Sequence, residues 1–139
     1  MEVPLFQSHG FGNIEYVKAA GEAAEGIIFP VGRLIVAEEL SDSDPQKDLL
    51  IKYKNDYESE FGEDVSTFGG HAYDALLIVT EALKIAGNDR DRLRDAIESL
   101  KNLPGTGGVF SFSRSDHNGL GMDSIVMVTV KDGQFTLYK

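Results

Sequence analysis

The sequence contains no cysteine, which excludes disulfide bonds, zinc–thiolate sites, iron–sulfur clusters and thiol nucleophiles. Basic residues are also scarce, with 13 against 23 acidic residues and a net charge of −10. Binding to a phosphate backbone needs a clustered basic face, so we expect no nucleic-acid partner. We interpret the acidity as a contribution to solubility.

Long hydrophobic runs are missing too. No apolar stretch approaches the roughly 20 residues that a membrane-spanning helix needs. The opening residues, Met-Glu-Val-Pro, lack a basic region followed by an apolar core, so we expect no signal peptide in this chain. The chain is then either cytosolic or a mature or cut piece of a longer protein. Its 42% hydrophobic and 26% charged residues are typical of a globular protein.

Several enzyme motifs are absent as well. The sequence has no nucleophile elbow, no His-Glu-x-x-His zinc motif and no phosphate-binding loop. Three histidines, two of them near carboxylates, leave general acid–base chemistry as an alternative. We predict no catalytic residue, no metal site and no cofactor.

The run from Pro4 to Asn13, Pro-Leu-Phe-Gln-Ser-His-Gly-Phe-Gly-Asn, is the most informative part of what is present. It predicts a short strand over residues 3–6, a break at two glycines, and a helix with Asn13 as its N-cap. A polar trio that includes Ser8 and His9 falls where the strand ends. Ligands bind at the carboxyl ends of strands in parallel α/β sheets. The run therefore predicts one wall of a ligand cleft, with His9 as its main polar contact.

The rest of the chain predicts alternating strands and helices. Ile27-Ile28-Phe29 indicates a buried parallel strand that breaks at Pro30-Val31-Gly32, before an extended or irregular stretch over residues 34–37. Three helices are expected, over residues 45–61 (N-cap Asp44), 68–87 and 89–101. Further expected features are a short strand over 109–112, a turn over 113–119, a strand over 124–130, an Asp-Gly hairpin and a return strand over 134–138. Three successive helices with so few strands indicate half of a larger α/β protein.

Other candidate site residues have simpler structural explanations. His71, with Asp74 at i+3, is expected to cap or pack a helix rather than to catalyse or bind metal. Asp116 and His117 lie among Ser, Asn and Gly residues, which favours a structured turn. An aromatic group at helical spacing is expected in the core, namely Tyr53, Tyr57, Phe61 and Tyr73.

Several motifs, taken in order, resemble the type I periplasmic solute-binding proteins of branched-chain amino acid ABC transporters. They are the Pro4–Asn13 run, Ala20-Gly-Glu-Ala-Ala-Glu-Gly26, Gly70-His-Ala-Tyr-Asp-Ala75, Ala86-Gly87, Leu93-Arg-Asp-Ala-Ile-Glu98, and Gly108-Val-Phe-Ser-Phe with Asp116-His-Asn-Gly119. That family has two α/β lobes, built on parallel sheets flanked by helices and joined by three crossover strands, which close on a small molecule. The resemblance implies the C-terminal half of such a fold. Residues 1–31 would end lobe two, residues 32–123 would form the second part of lobe one, and residues 124–139 would return toward lobe two.

The resemblance also bears on the ligand. In amino-acid-binding members, the position that matches His9 is an acidic residue that pairs with the ligand ammonium group. A histidine donates a hydrogen bond instead and, when protonated, pairs with an anion. The resemblance to the family therefore implies a small-molecule carboxylate, such as an aromatic acid, contacted by His9 with Ser8 assisting and Phe11 lending apolar surface.

The implied function is the substrate-binding component of an ABC importer, on the periplasmic or extracellular face, which delivers its ligand to a membrane permease. Residues 29–33 and 126–130 would be hinge strands. The alternatives are a ligand-sensing domain of a regulator or receptor, and a small enzyme. A half-length chain leaves apolar helix faces and strand edges exposed, so we expect it to self-associate and to bind ligand weakly or not at all.

Overall fold

The structure, a computed structural model, describes residues 3–139 and has an α/β architecture, which confirms the predicted fold class. The α-helices of this part are α1 (Ile14–Ala20), α2 (Lys47–Phe61), α3 (Thr67–Ala86) and α4 (Arg90–Ser99). The strands are β1 (Ile28–Gly32), β2 (Leu103–Pro104), β3 (Val109–Phe110), β4 (Ile125–Lys131) and β5 (Gln134–Leu137). Short 3₁₀ helices span His9–Phe11, Gly21–Ala24, Arg33–Glu39 and Met122–Ser124.

The larger sheet joins the two ends of the chain. Its order is β1-β4-β5, and both neighbouring pairs are antiparallel, with Ile28 of β1 opposite Thr129 of β4. The turn between β4 and β5 has Asp132 and Gly133 at φ of 53° and 73°. Two successive positive values define a type I′ turn, so the predicted Asp-Gly hairpin is confirmed.

The prediction of a strand over residues 3–6 was wrong, because these residues make only a bridge, Phe6 with Ile28. That bridge gives β1 a parallel neighbour on one side, as predicted, whereas its full ladder, with β4, is antiparallel. β1 also continues through Pro30 instead of breaking there. The N–H of Ile28 donates to Leu5 O at 3.0 Å, away from β4. Pro30 lies two residues further on, so its missing N–H faces the same way and the ladder with β4 loses nothing.

The following segment differs from the prediction in two places. Residues 34–37, expected to be extended or irregular, lie in short 3₁₀ turns that are interrupted at Val36, whose φ of −131° is not helical. Asp44 does not cap α2, because that helix starts at Lys47 with Gln46 as its N-cap residue. The Asp44 carboxylate instead accepts a 2.9 Å hydrogen bond from the N–H of Gln46, an Asx turn that precedes the helix.

The buried apolar side chains form three separate clusters. The first lies between the larger sheet and α1 and includes Val17, Phe29 and Val128. The second joins the 3₁₀ helix Arg33–Glu39 to α2 through residues such as Leu50. The third, between α3 and α4, consists of Ala82, Ala86 and Ala96. Partly buried Leu93, Ile97 and Leu100 pack against this third cluster.

One face of α3 stays open. Leu76, Val79 and Leu83 are exposed by 68%, 38% and 42%. We call these three residues the open α3 face. The expectation of a core position was wrong for Tyr73 and Phe61, which are 41% and 62% exposed. Within residues 3–139, aromatic neighbours cover only part of these last two side chains.

A buried carboxylate fixes the glycine-rich loop 105–108. Asp74 of α3 accepts hydrogen bonds from the N–H groups of Thr106 and Gly107, at 2.6 and 2.7 Å, and from the Thr106 hydroxyl at 3.0 Å. From the other side, the Gln46 side chain donates to Gly105 O at 2.8 Å. Both Asp74 and Gln46 are almost fully buried, so these bonds are shielded from water and strong.

We expect Asp74→Ala to lower the free energy of unfolding by about 2–4 kcal/mol, because it leaves buried N–H donors without acceptors. Urea unfolding followed by circular dichroism measures this change. The matched control is Asp89→Ala, which removes an exposed N-cap of α4 and should cost about 1 kcal/mol. An equal cost for the two variants would show that the buried carboxylate has no special role.

Candidate functional site

The predicted site run folds into a tight turn over the end of β1. The 3₁₀ helix His9–Phe11 follows Ser8, and the Asn13 side chain then accepts a 2.9 Å hydrogen bond from the N–H of Glu15, which confirms the predicted N-cap. Gly12 permits this close approach, because a Cβ there would lie 3.0 Å from a methyl carbon of Val31. The turn therefore holds His9 against the rest of the chain.

His9 faces a second histidine from a distant part of the sequence. The ring centroids of His9 and His71 are 5.6 Å apart, with the planes tilted by 31°. Both rings line a concavity of about 460 Å³. In the part of the chain that the structure describes, neither imidazole makes a hydrogen bond to a protein group, whereas His117 bonds to Glu98. The two rings are thus placed to donate to a ligand.

Backbone and apolar side chains complete the concavity. Gly32 and Gly107 line it with backbone, and a Cβ on Gly107 would lie 3.2 Å from His71 Cε1, so the glycine allows a close approach of the loop to this ring. Three apolar side chains also line the concavity, and we call them the apolar shelf: Leu120, Met122 and Ile125. The site therefore combines two imidazoles with hydrocarbon surface.

The other two predicted contacts lie on the far side of the turn. Ser8 and Phe11 line a neighbouring concavity of about 610 Å³ with Tyr16, not the one that holds His9. The Phe11 ring packs edge-on against Phe29 at 5.4 Å and stacks on Tyr16 at 6.1 Å, so it also supports the core. The Ser8 hydroxyl makes no capping bond to the 3₁₀ helix. The structure thus separates Ser8 and Phe11 from His9, and their contact with a ligand stays a prediction.

The surroundings of His9 disfavour its charged form. Partial burial lowers the pKa of His9 below the ordinary value of 6.5, and the neighbouring His71 lowers this pKa further. His9 is therefore mainly neutral near pH 7 when no anion is present.

Sequence reasoning assigned His71 only a structural role. The sequence around His71 does contain a signal, namely the glycine pair before it and its position one helical turn from Asp74. Its partner in the site, His9, lies far away in the sequence, so no local pattern connects the two. The Asp116–His117 segment does form the predicted structured turn, in which Asp116 accepts from the N–H groups of Asn118 and Gly119 at 3.0 and 3.1 Å. Among residues 3–139, no three His, Asp or Glu side chains converge as metal ligands.

Comparisons with known proteins identify the family of this chain. A family model described as "Periplasmic binding protein" matches residues 2–134. Rp1789 from Rhodopseudomonas palustris (strain CGA009) is 28% identical with a TM-score of 0.91, and the match covers 99% of this chain and 41% of that one. An extracellular ligand-binding receptor from Rhodopseudomonas palustris HaA2 is 29% identical with a TM-score of 0.86, over 99% of this chain and 41% of that one.

A more distant match shows the fold alone. The leucine binding protein LivK from Thermotoga maritima MSB8 is 24% identical with a TM-score of 0.75, covering 96% of this chain and 36% of that one. The comparison with curated proteins gives no significant match. The chain spans less than half the length of these solved structures.

This chain belongs to the periplasmic binding protein family, which confirms the resemblance seen in its motifs. The family and its solved members are ligand-binding proteins rather than enzymes, as the sequence predicted. Within residues 3–139, no helix has both the length and the apolar character needed to cross a bilayer.

The lowered pKa of His9 predicts a pH-dependent stability. Because the unfolded chain binds a proton at His9 near pH 6.5 and the folded chain does so only at lower pH, acid favours unfolding. We expect the contribution of His9 to be complete above pH 6.5 and to be lost as the pH falls through its lowered folded pKa. His9→Gln should flatten the unfolding free energy between about pH 5 and 7, measured by urea titration at each pH. His117→Gln, the exposed control, should retain the slope; a slope unchanged in His9→Gln would contradict the assignment.

Proposed function

We propose that the chain forms part of the ligand cleft of a solute-binding protein that serves an ABC importer, and that the ligand is a small organic carboxylate. The observation that carries this proposal is the pairing of His9 and His71 in one concavity with the apolar shelf. Imidazole N–H groups can donate to a carboxylate, and the shelf suits the hydrocarbon body of an organic acid. The three predicted contacts keep their roles in the proposal: His9 binds the carboxylate, the Ser8 hydroxyl assists, and Phe11 contributes apolar surface.

The proposal includes the two-lobed arrangement. Residues 1–31 and 124–139 are assigned to lobe two and residues 32–123 to lobe one; residues 1 and 2 lie outside the described part. Support comes from the ladder between β1 and β4, in which the two expected hinge segments, 29–33 and 126–130, lie side by side. A ligand that contacts both lobes favours the closed form by its differential affinity for that form.

The proposed partner of the closed form is a membrane permease, and the proposed location is the periplasm or the extracellular face. The description of the matching family supports this location. A ligand-sensing receptor is the second candidate, because three similar structures are of extracellular ligand-binding receptors from Rhodopseudomonas palustris. Neighbouring genes for a permease and an ATPase would support import, whereas a neighbouring signalling gene would support sensing.

The ligand class is tested by calorimetry on a full-length protein that carries this chain, titrated with benzoate and with leucine. We expect benzoate to bind and leucine not to bind. His9→Glu should weaken benzoate binding about tenfold or more, because it replaces a charge-assisted hydrogen bond with charge repulsion.

The control for this experiment is His117→Gln, which removes the imidazole outside the concavity without placing a second carboxylate beside Glu98 and should leave benzoate affinity unchanged. Tight leucine binding with no response to benzoate would overturn the carboxylate assignment.

For the 139-residue chain alone we propose self-association through the open α3 face. The face is apolar and uncovered among the described residues, and similar solved structures contain a further and larger part of the fold. A second copy of the chain can bury such a face when that part is not attached. We also propose that the isolated chain binds ligand weakly or not at all, since it carries only some of the walls of the cleft.

We expect size-exclusion chromatography with light scattering to show a dimer or larger species. The double variant Leu76→Glu/Leu83→Glu should shift the chain toward monomer, because it places charge on the contact face. Lys84→Glu lies on another side of α3 and changes the charge in the same direction, so it should leave the mass unchanged. A monomeric unmodified chain would contradict self-association.

A further inference from the structure

The closeness of His9 and His71 has a consequence for how an anion is captured. Two imidazoles with ring centroids 5.6 Å apart repel each other when both are charged. The first proton on either ring therefore disfavours a second proton on the other. Of the two rings, His9 is the one whose pKa is lowered, by its partial burial and by the neighbouring His71.

Few other charges face this pair. Asp74, on the same helix as His71, is a buried carboxylate that accepts from the N–H groups of Thr106 and Gly107, and it brings negative rather than positive charge near the pair. Arg33, which follows β1, is directed to Asp44, with a Nε to Oδ2 distance of 3.3 Å. Asp123, in the 3₁₀ helix Met122–Ser124, lies beside Gly121 at the rim.

Within the described residues, then, no cation is aimed into the concavity to neutralise a bound carboxylate. The glycine backbone and the apolar shelf provide no charge either. The positive charge that balances a bound carboxylate then has to come from protonation of an imidazole. A carboxylate in the concavity favours a protonated ring, because the two opposite charges attract in a partly dehydrated site.

We propose that the His9–His71 pair captures an organic anion together with one proton, so that binding adds no net charge to the site. This inference rests on the proposed carboxylate ligand and adds the regulation of that same site. The proton comes from solvent, sits on one imidazole as an N–H donor to the carboxylate, and returns to solvent on release. Affinity therefore falls as the pH rises, by up to about tenfold per pH unit above the titration of the pair.

The chain offers a direct test, because it has only three histidines and the third, His117, lies outside the concavity. Imidazole proton NMR of the 139-residue chain between about pH 5 and 8 follows each ring separately. Benzoate, which remains ionised above pH 5, is the probe, with benzamide as the neutral analogue and sodium chloride matched for ionic strength.

Because the isolated chain is proposed to bind ligand weakly or not at all, benzoate is used at millimolar concentration and the titration is repeated on a full-length protein that carries this chain. Where benzoate binds, we expect it to move the titration of His9 or His71 to higher pH and to leave His117 unchanged, while benzamide and chloride have no effect. Without any ligand, His71→Gln should move the titration of His9 upward, because the repelling neighbour is gone. The variant His117→Gln is the control and should change neither titration. An unmoved His9 titration in His71→Gln would overturn the proposal, because the rings would then titrate independently.

The outcomes also separate this inference from the proposed function. Benzoate-dependent shifts in backbone amide signals near the concavity, without a change in either histidine titration, would leave carboxylate binding in place and overturn proton capture. No response of any signal to benzoate at millimolar concentration, in this chain and in a full-length protein that carries it, would overturn both.

Discussion

The buried carboxylate of Asp74 is the constraint on which the candidate site depends. It ties α3 to the backbone of residues 106 and 107, and Gly107 lines the concavity next to His71. Without this tie, the loop would have to satisfy two buried N–H groups elsewhere, and the ring of His71 would lose the surface that it packs on. The same helix therefore supplies both the second imidazole and the anchor for its surroundings.

Local signals in the sequence predicted most of the elements but only part of the site. The Asn13 N-cap and the Asp-Gly hairpin depend on residues within a few positions of one another. The ladder of β1 with β4 and the meeting of His9 with His71 depend on residues far apart in the chain. No local pattern encodes such contacts, which is why the sequence predicts neither the antiparallel ladder of β1 nor the place of His71 in the site.

For the exposed apolar residues, the expectation of burial failed for a different reason. Leu76, Leu83 and Phe61 follow helical periodicity toward a buried face, and the periodicity is real. Periodicity identifies the apolar face of a helix, but that face is buried only when another part of the protein packs on it. Residues 3–139 do not supply that part. The similar solved structures are more than twice as long as this chain, which is consistent with such a cover lying in the remaining part of the fold.

The placement of β1 and β4 also bears on the order in which the molecule assembles. The two strands pair although almost the whole chain lies between them, whereas the contacts between α3 and α4 are local. Closing so long a loop is entropically costly, so the helices can form well before the sheet does. The concavity needs residues from the N-terminal turn, α3, the glycine-rich loop and the start of β4. It therefore exists only once the last long-range pairing is complete, and it is the first feature lost when the ends of the chain separate, while helical content is still high.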